Sequence, residues 1–274
     1  MAWIADSMAS LGVLLAAWLL LIVTMAVGWV YQRRFSNAGF VDVFWTFGTG
    51  IAGVIVALFP AGAAEAGYRQ WLVAAIMAVW TVRLGFHMLL RVAPGPEDLR
   101  YVEFRKEWGG DFQRRLFWFM QKQAYGSILF PLAVFVAAHQ PAPFPRFADF
   151  IAVTILVIAI GGEALADGQL IAFKANPANK GRICDRGLWS LSRHPNYFFE
   201  WLGWFAYPVM AIDFTGNYPW GLLALGAPAL MYYVLVHYTG LPPLEAHMGR
   251  SRGAAWQEYK ARTRILLPLP KASG

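Results

Sequence analysis

Residues 11–31 read LGVLLAAWLLLIVTMAVGWVY, twenty-one positions without a charged side chain. A helix rises about 1.5 Å per residue, so ~20 apolar residues cross a hydrocarbon core about 30 Å thick. The stretch reads as a membrane helix, and six more follow it along the 274 residues. They run from about Phe40 to Phe59, Trp71 to Leu90, Leu116 to Ala138, Phe147 to Ala166, Tyr197 to Ala211 and Trp220 to Tyr238, each bounded by charges, Pro or Gly. Hydrophobic residues make up 58% and charged residues 14%, with a mean hydropathy of +0.44. Ordinary soluble domains carry about 25% charged residues. A soluble enzyme and a disordered tail are excluded, and the expectation is a single all-α membrane domain of seven helices over residues 1–274.

The net charge of +7 could suggest nucleic-acid binding, but its distribution points elsewhere. Twenty of the 23 Lys and Arg fall in the first, third and fifth loops and the C-terminal tail, from Arg33 to Lys271. The opposite loops keep only Arg69 and Arg146, and Arg83 lies within the third span. The positive-inside rule then predicts the N-terminus outside and the C-terminus in the cytoplasm, with the bilayer rather than nucleic acid as partner. The first span is not read as a signal peptide. Asp6 stands where a positive n-region is usual, and the apolar stretch exceeds ~15 residues.

The single cysteine, Cys184, excludes disulfide frameworks and structural zinc clusters, which need several sulfurs. The five histidines form no HxxxH or HxxHH cluster of the kind that holds di-iron, so no metal site is expected. Gly48-Thr-Gly50-Ile-Ala-Gly53 matches GxGxxG, but it lies inside an apolar span with no strand before it. It reads as a small-residue surface for close helix packing.

Charges at bilayer depth are expensive unless paired or hydrated, so those within the spans are candidates for function. They are Asp42, Arg83, His87, Glu163, Asp167, Glu200 and His237. Glu163 and Asp167, four apart, share one helix face, where like charges repel unless a cation or donor intervenes. Basic side chains from Lys174 to Arg193 would serve, as would nucleotide hydroxyls and amide; a solvated pair at a frayed helix end is the plainer alternative. Asp42 and Arg83 lie at comparable depths on neighbouring spans. They form either a buried ion pair that orders the bundle or a carboxyl and guanidinium facing a substrate.

The most specific stretch is Gly181-Arg-Ile-Cys-Asp-Arg-Gly187-Leu-Trp-Ser-Leu-Ser-Arg193-His194-Pro195-Asn196-Tyr197-Phe-Phe-Glu200-Trp201. It is a basic loop entering a helix. Arg182, Arg186 and Arg193 offer planar donors suited to phosphates, and the helix start adds unpaired N–H groups. Pro195 suits that start, where its missing N–H has no intrahelical partner, and Glu200 one turn later can accept from a ribose hydroxyl or an amide. The alternative is a cytoplasmic loop followed by a capped helix.

At these residues the chain resembles the steroid 5α-reductase superfamily, in its bacterial branch of multi-pass membrane proteins. The resemblance rests on Arg193-His-Pro-Asn-Tyr-x-x-Glu200, on Pro96-Glu-Asp-x-Arg-Tyr101 and on Tyr259-Lys-x-Arg-Thr-x-x-x-x-Pro268, in order along nearly the whole chain. It implies a seven-helix reductase of the bacterial cell membrane, with residues 240–274 a cytoplasmic tail on the cofactor side. It would bind NADPH and deliver hydride to a lipid-like substrate. By position, Asp167, Arg182, Asn196 and Glu200 correspond to cofactor contacts, followed by Lys174, Arg193, His194 and Tyr197. Where the steroid reductases carry Gln-Glu in span two, this chain has Val41-Asp42, and their catalytic tyrosine falls at Trp80, which cannot protonate an oxyanion. Arg83 matches a basic position.

The expected activity is therefore reduction of a conjugated C=C bond in a membrane-soluble lipid. Asp42, kept protonated by burial, would donate to the developing enolate while Arg83 orients the substrate. Isoprenylcysteine-type methyltransferases share Arg-His-Pro-x-Tyr and a basic, Tyr-containing tail, but they carry adjacent glutamates where this chain has Glu245-Ala246. A lipid-binding or transport protein without catalysis is the third reading.

Overall fold

The computed structural model describes residues 2–62 and 65–270, with side chains among them from Ser7 onward. The side chain of Asp6, and Lys271, lie outside the described residues. Among the described residues twelve α-helices succeed one another: α1 (Ala2–Phe35), α2 (Phe40–Leu58), α3 (Tyr68–Val92), α4 (Leu99–Trp108), α5 (Phe112–Gly126) and α6 (Leu129–Ala138) in the first half. There follow α7 (Phe147–Ala175), α8 (Leu188–Leu191), α9 (Pro195–Gly203), α10 (Ala206–Ala211), α11 (Gly226–Tyr233) and α12 (Leu241–Arg262). No strand occurs among the described residues, so the all-α class stands.

Among the described residues five segments are long and apolar enough to cross a membrane: Ser7–Phe35, Phe40–Leu58, Tyr68–Val92, Phe147–Ala175 and Pro219–Arg262. The chain is thus a multi-pass helical membrane protein by the length and composition of its helices. On α1 the exposed residues Leu11, Leu15, Leu19, Val23, Val27 and Val30 recur every three or four positions, while Ala17, Leu21 and Met25 are buried. Such an apolar stripe turned outward suits hydrocarbon rather than water.

The fourth and sixth expected spans are not continuous helices. Each is broken four residues before a proline. Pro131 has no N–H for the carbonyl of Ser127, which accepts from Phe130 N at 3.1 Å instead, and α5 ends there. Trp45 on α2 fixes the break by donating its indole N–H to the Ser127 hydroxyl at 2.7 Å. Likewise Pro208 has no N–H for Trp204. The chain tightens through Trp204 N to Trp201 O (3.2 Å) and Phe205 N to Leu202 O (3.1 Å), separating α9 from α10. The seventh stretch is helical but irregular, a 3₁₀ segment (Pro219–Leu225), α11 and a π turn (Val234–Tyr238) leading into α12, which bends at Gly253 (φ +51°).

The chain divides into two compact units, Met1–Asp149 with Tyr207–Ala227, and Phe150–Ala206 with Pro228–Gly274. In the first unit α2 lies between α1 and α3, with α5 against α1 and α6 against α2. The Gly48–Gly53 stretch is where neighbouring helices approach. A Cβ on Gly48 would lie 2.9 Å from Thr24 of α1, one on Gly53 2.8 Å from Met77 of α3, and one on Gly50 would fall inside Thr81. The expected helix-packing surface is therefore present, and it works on both sides of α2. Arg69 is 6% exposed and closes the loop after α6. It donates to Gln140 O (2.5 Å), Ala142 O (2.7 Å) and Pro143 O (3.1 Å) and pairs with Asp149 at 3.1 Å.

In the second unit the Gly181–Trp201 stretch, a loop followed by α8 and the start of α9, folds onto α7. Gly187 takes φ +57°, and a side chain there would strike Gln169, whose Oε1 accepts from Leu188 N at 3.0 Å. Trp189 donates to Ala166 O at 2.9 Å, and Gly162 leaves room for the ring of Phe199. Tyr259 of α12 donates to Trp189 O at 2.5 Å, so the C-terminal helix is part of this unit.

Candidate functional site

Each unit carries a cluster centred on a guanidinium. In the first, Asp98 caps α4 by accepting from Arg100 N at 3.0 Å, which places the next side chains. Arg100 donates Nε to Asp98 at 2.9 Å and Nη2 to Asp42 on the first turn of α2. The Tyr101 hydroxyl donates to the other Asp42 oxygen at 3.1 Å. Glu97 accepts from Ala38 N at 2.8 Å and pairs with Arg105 at 2.8 Å, so the Pro96–Tyr101 motif straps the α1–α2 junction.

The charges here reinforce one another. Burial alone would raise the Asp98 carboxyl, but the charge and hydrogen bonds of Arg100 leave it below its ordinary 3.8. Burial alone would lower Arg100, yet Asp42, Tyr101 and Asp98 hold it well above its usual value. Burial, joined by the charge of Asp42, pushes the Tyr101 phenol up, so it stays a proton donor. The direct partners of the Asp42 carboxyl are thus a cation and a phenol that donates to it. Arg83 and His87 are half-buried one turn apart on α3.

In the second unit, Arg193 and His194 stand at the entry to α9. Arg193 donates Nε to Glu245 (2.8 Å) and Nη1 to Thr263 O (2.7 Å), and its backbone N–H donates to Arg264 O (2.8 Å). His194 Nε2 meets the same Glu245 oxygen at 3.1 Å, and its ring stacks on Tyr197. Burial holds the His194 imidazole below its ordinary 6.5, although the hydrogen bond and charge of Glu245 pull it up. Within this unit, α12 and the segment after it are tied to the Arg-His-Pro turn.

Three buried acids belong to the same unit, Glu163 and Asp167 on α7 and Glu200 on α9. Asn196 donates Nδ2 to Asp167 at 3.2 Å, and Trp204 donates Nε1 to Glu200 at 3.0 Å. These amide and indole donors orient the carboxylates. Tyr197 is half-buried, while Lys174, Arg182 and Arg186 are exposed. No group of three or more His, Cys, Asp or Glu among the described residues is placed to hold a metal ion.

The expected contacts therefore fall into three sets. Asp167 and Asn196 are joined by a hydrogen bond, and Glu200 is oriented beside them in sequence. Lys174 and Arg182 supply exposed cations. Arg193 and His194 are engaged by Glu245. Buried acceptors and exposed cations in one unit fit a ligand with hydroxyl or amide donors and phosphates. Arg100, Tyr101 and Glu245 were given no role by sequence reasoning. The first two stand inside the Pro96–Tyr101 motif, and Glu245 was noted only for lacking an acidic neighbour. No curated protein and no solved structure matches the chain. The DUF1295 family, described as a protein of unknown function, matches residues 28–263, which take in both guanidinium clusters, and the chain belongs to that family.

Proposed function

We propose that this protein is a membrane reductase of the steroid 5α-reductase type, using NADPH to reduce a conjugated C=C bond in a lipid-like substrate. The observation that supports it most is the hydrogen bond from half-buried Asn196 to the buried Asp167, with the buried Glu200 on the same helix as Asn196, next to the Arg193–His194 turn. Asp167, Asn196 and Glu200 offer acceptors and an amide to the ribose and nicotinamide groups, and Lys174, Arg182 and Arg186 offer charge to the phosphates. When bound, NADPH supplies the hydride. Arg193, His194 and Tyr197 hold the start of α9 in place, and Asp42 and Arg83 act toward the substrate. Arg100 and Tyr101 hold Asp42 in place for that part, which is to donate a proton to the developing enolate.

The same reading keeps seven crossings, with the broken pairs α5–α6 and α9–α10 each passing the bilayer, the N-terminus outside and the C-terminus in the cytoplasm of a bacterial cell membrane. The asymmetry of twenty Lys and Arg supports this orientation. One observation favours a second reading. Glu245 bonded to both Arg193 and His194 links the Arg-His-Pro turn to the carboxylate that stands where isoprenylcysteine-type methyltransferases, which use S-adenosylmethionine, carry adjacent glutamates.

Nucleotide titration tests the first reading. Glu200→Gln and Arg182→Ala should each weaken NADPH binding by about 1 to 3 kcal/mol. Unchanged affinities in both variants would contradict it.

A further inference from the structure

We propose that a cleft within the second unit, walled by α9, α11 and the segment 263–267, binds an acyl chain of an anionic phospholipid whose head group is met by Arg264. The cleft has a volume of about 670 Å³, and its walls include Trp201, Tyr232, Ile265, Leu266 and Leu267. Pockets of that size bind organic ligands, chiefly through apolar surface, with a few polar groups fixing orientation. Here several polar atoms of the walls are already used. The Trp201 indole donates to Pro228 O at 3.0 Å, the Arg193 guanidinium is held by Glu245 and Thr263 O, and the Leu266 carbonyl accepts from the Ser192 hydroxyl at 2.8 Å. What faces the cleft is mainly carbon, and carbon selects a hydrocarbon chain.

Arg264 distinguishes the site from a plain apolar groove. It lines the cleft, is exposed, and among the described residues donates Nε to Pro270 O at 3.3 Å. An apolar cleft with one available guanidinium complements an amphiphile carrying a single anionic head. Ile265 (39% exposed), Leu267 (43%) and Leu269 (54%) extend the apolar surface along the same segment, while Leu266 (5%) is buried. In a multi-pass membrane protein, exposed apolar side chains of this kind belong against lipid, so the occupant comes from the bilayer. Asp167, Asn196 and Glu200 do not line the cleft, so the inference does not rest on the nucleotide reading.

The test is retention of lipid by the purified protein released from nanodiscs of phosphatidylcholine with a minor fraction of phosphatidylglycerol, read by native mass spectrometry. One Arg at a membrane surface favours an anionic head by about fivefold. The wild type should retain phosphatidylglycerol over phosphatidylcholine by that factor after correction for their abundance. Arg264→Gln should bring the ratio to one, and Leu267→Asp should reduce retention of both lipids. Lys260→Gln, a nearby cation outside the cleft, should leave the ratio unchanged. Equal retention by the wild type, a preference that survives Arg264→Gln or a preference lost equally in Lys260→Gln would overturn the proposal. Displacement of the lipid by NADPH would also overturn it, by assigning the cleft to nucleotide.

Discussion

Arg100 in the first unit and Arg193 in the second are both guanidiniums that strap a short motif to a distant segment, but they stand in different company. Around Arg100, each nearby acid is matched by a strong partner: Asp42 and Asp98 bond to Arg100, and Glu97 to Arg105. Beside Arg193 the strap to Glu245 is similar, but three further acids are buried in that unit, and amide and indole donors orient two of them. Buried carboxylates are costly as architecture alone and useful as recognition groups. The first cluster reads mainly as order, the second as order with a binding site next to it.

Cutting each strap is the strongest way to break this comparison. Arg193→Ala and Arg100→Ala each leave a half-buried acid without its cation, which costs about 1 to 3 kcal/mol of stability. Thermal unfolding of the detergent-purified variants measures it. The two should then diverge, with Arg193→Ala weakening nucleotide binding and Arg100→Ala leaving it intact in the folded fraction. Equal losses of affinity would erase the distinction between the clusters.

Asp42→Asn sharpens it from the other side. The substitution keeps a side chain that can accept from Tyr101 but removes the acid. Turnover should drop by roughly 100-fold, within the range for loss of a positioned acid or base, while nucleotide affinity stays unchanged. A large loss of affinity would place Asp42 on the cofactor side.

The smallest effect is a pH dependence confined to the second unit. Because burial holds His194 below 6.5, against the pull of Glu245, the unfolded chain takes up a proton at a pH where the folded chain stays neutral. Stability from this group is complete above about pH 6.5 and declines as the pH falls below it. The groups bonded to or stacked on the ring are Glu245 and Tyr197, with Arg193 adjacent in sequence. Melting temperatures between pH 7.5 and 5.5 should decline more steeply in the wild type than in His194→Gln. Parallel profiles would remove His194 as the source.

Much of this was legible in the sequence, and what was not has physical reasons. The charge-free run at 11–31 announced a membrane helix, and the absence of a strand before Gly48 correctly turned a nucleotide-like motif into a helix-packing surface. Pro195 marked the start of α9. The breaks at Ser127 and Trp204 were also written there, as Pro131 and Pro208, but hydropathy averaged over a window does not register one missing N–H. Partner choice was the hidden part. Arg100 reaches Asp42 across 58 positions and Arg193 reaches Glu245 across 52, and only the packed helices decide which charges meet. For that reason Arg100, Tyr101 and Glu245 went without roles, although two of them stood in a motif already quoted.

The central claim is that the buried acids of the second unit serve a nucleotide. The most direct measurement is the thermal shift of the purified wild type and Glu200→Gln with NADPH, NADH and S-adenosylmethionine. A ligand at ~100 times its dissociation constant stabilises by about 2.7 kcal/mol. The account predicts stabilisation of the wild type by NADPH, reduced in Glu200→Gln at the same concentration. Stabilisation by S-adenosylmethionine alone would move the chemistry to methyl transfer, and no shift with any of the three would contradict a nucleotide site and leave a lipid-binding protein.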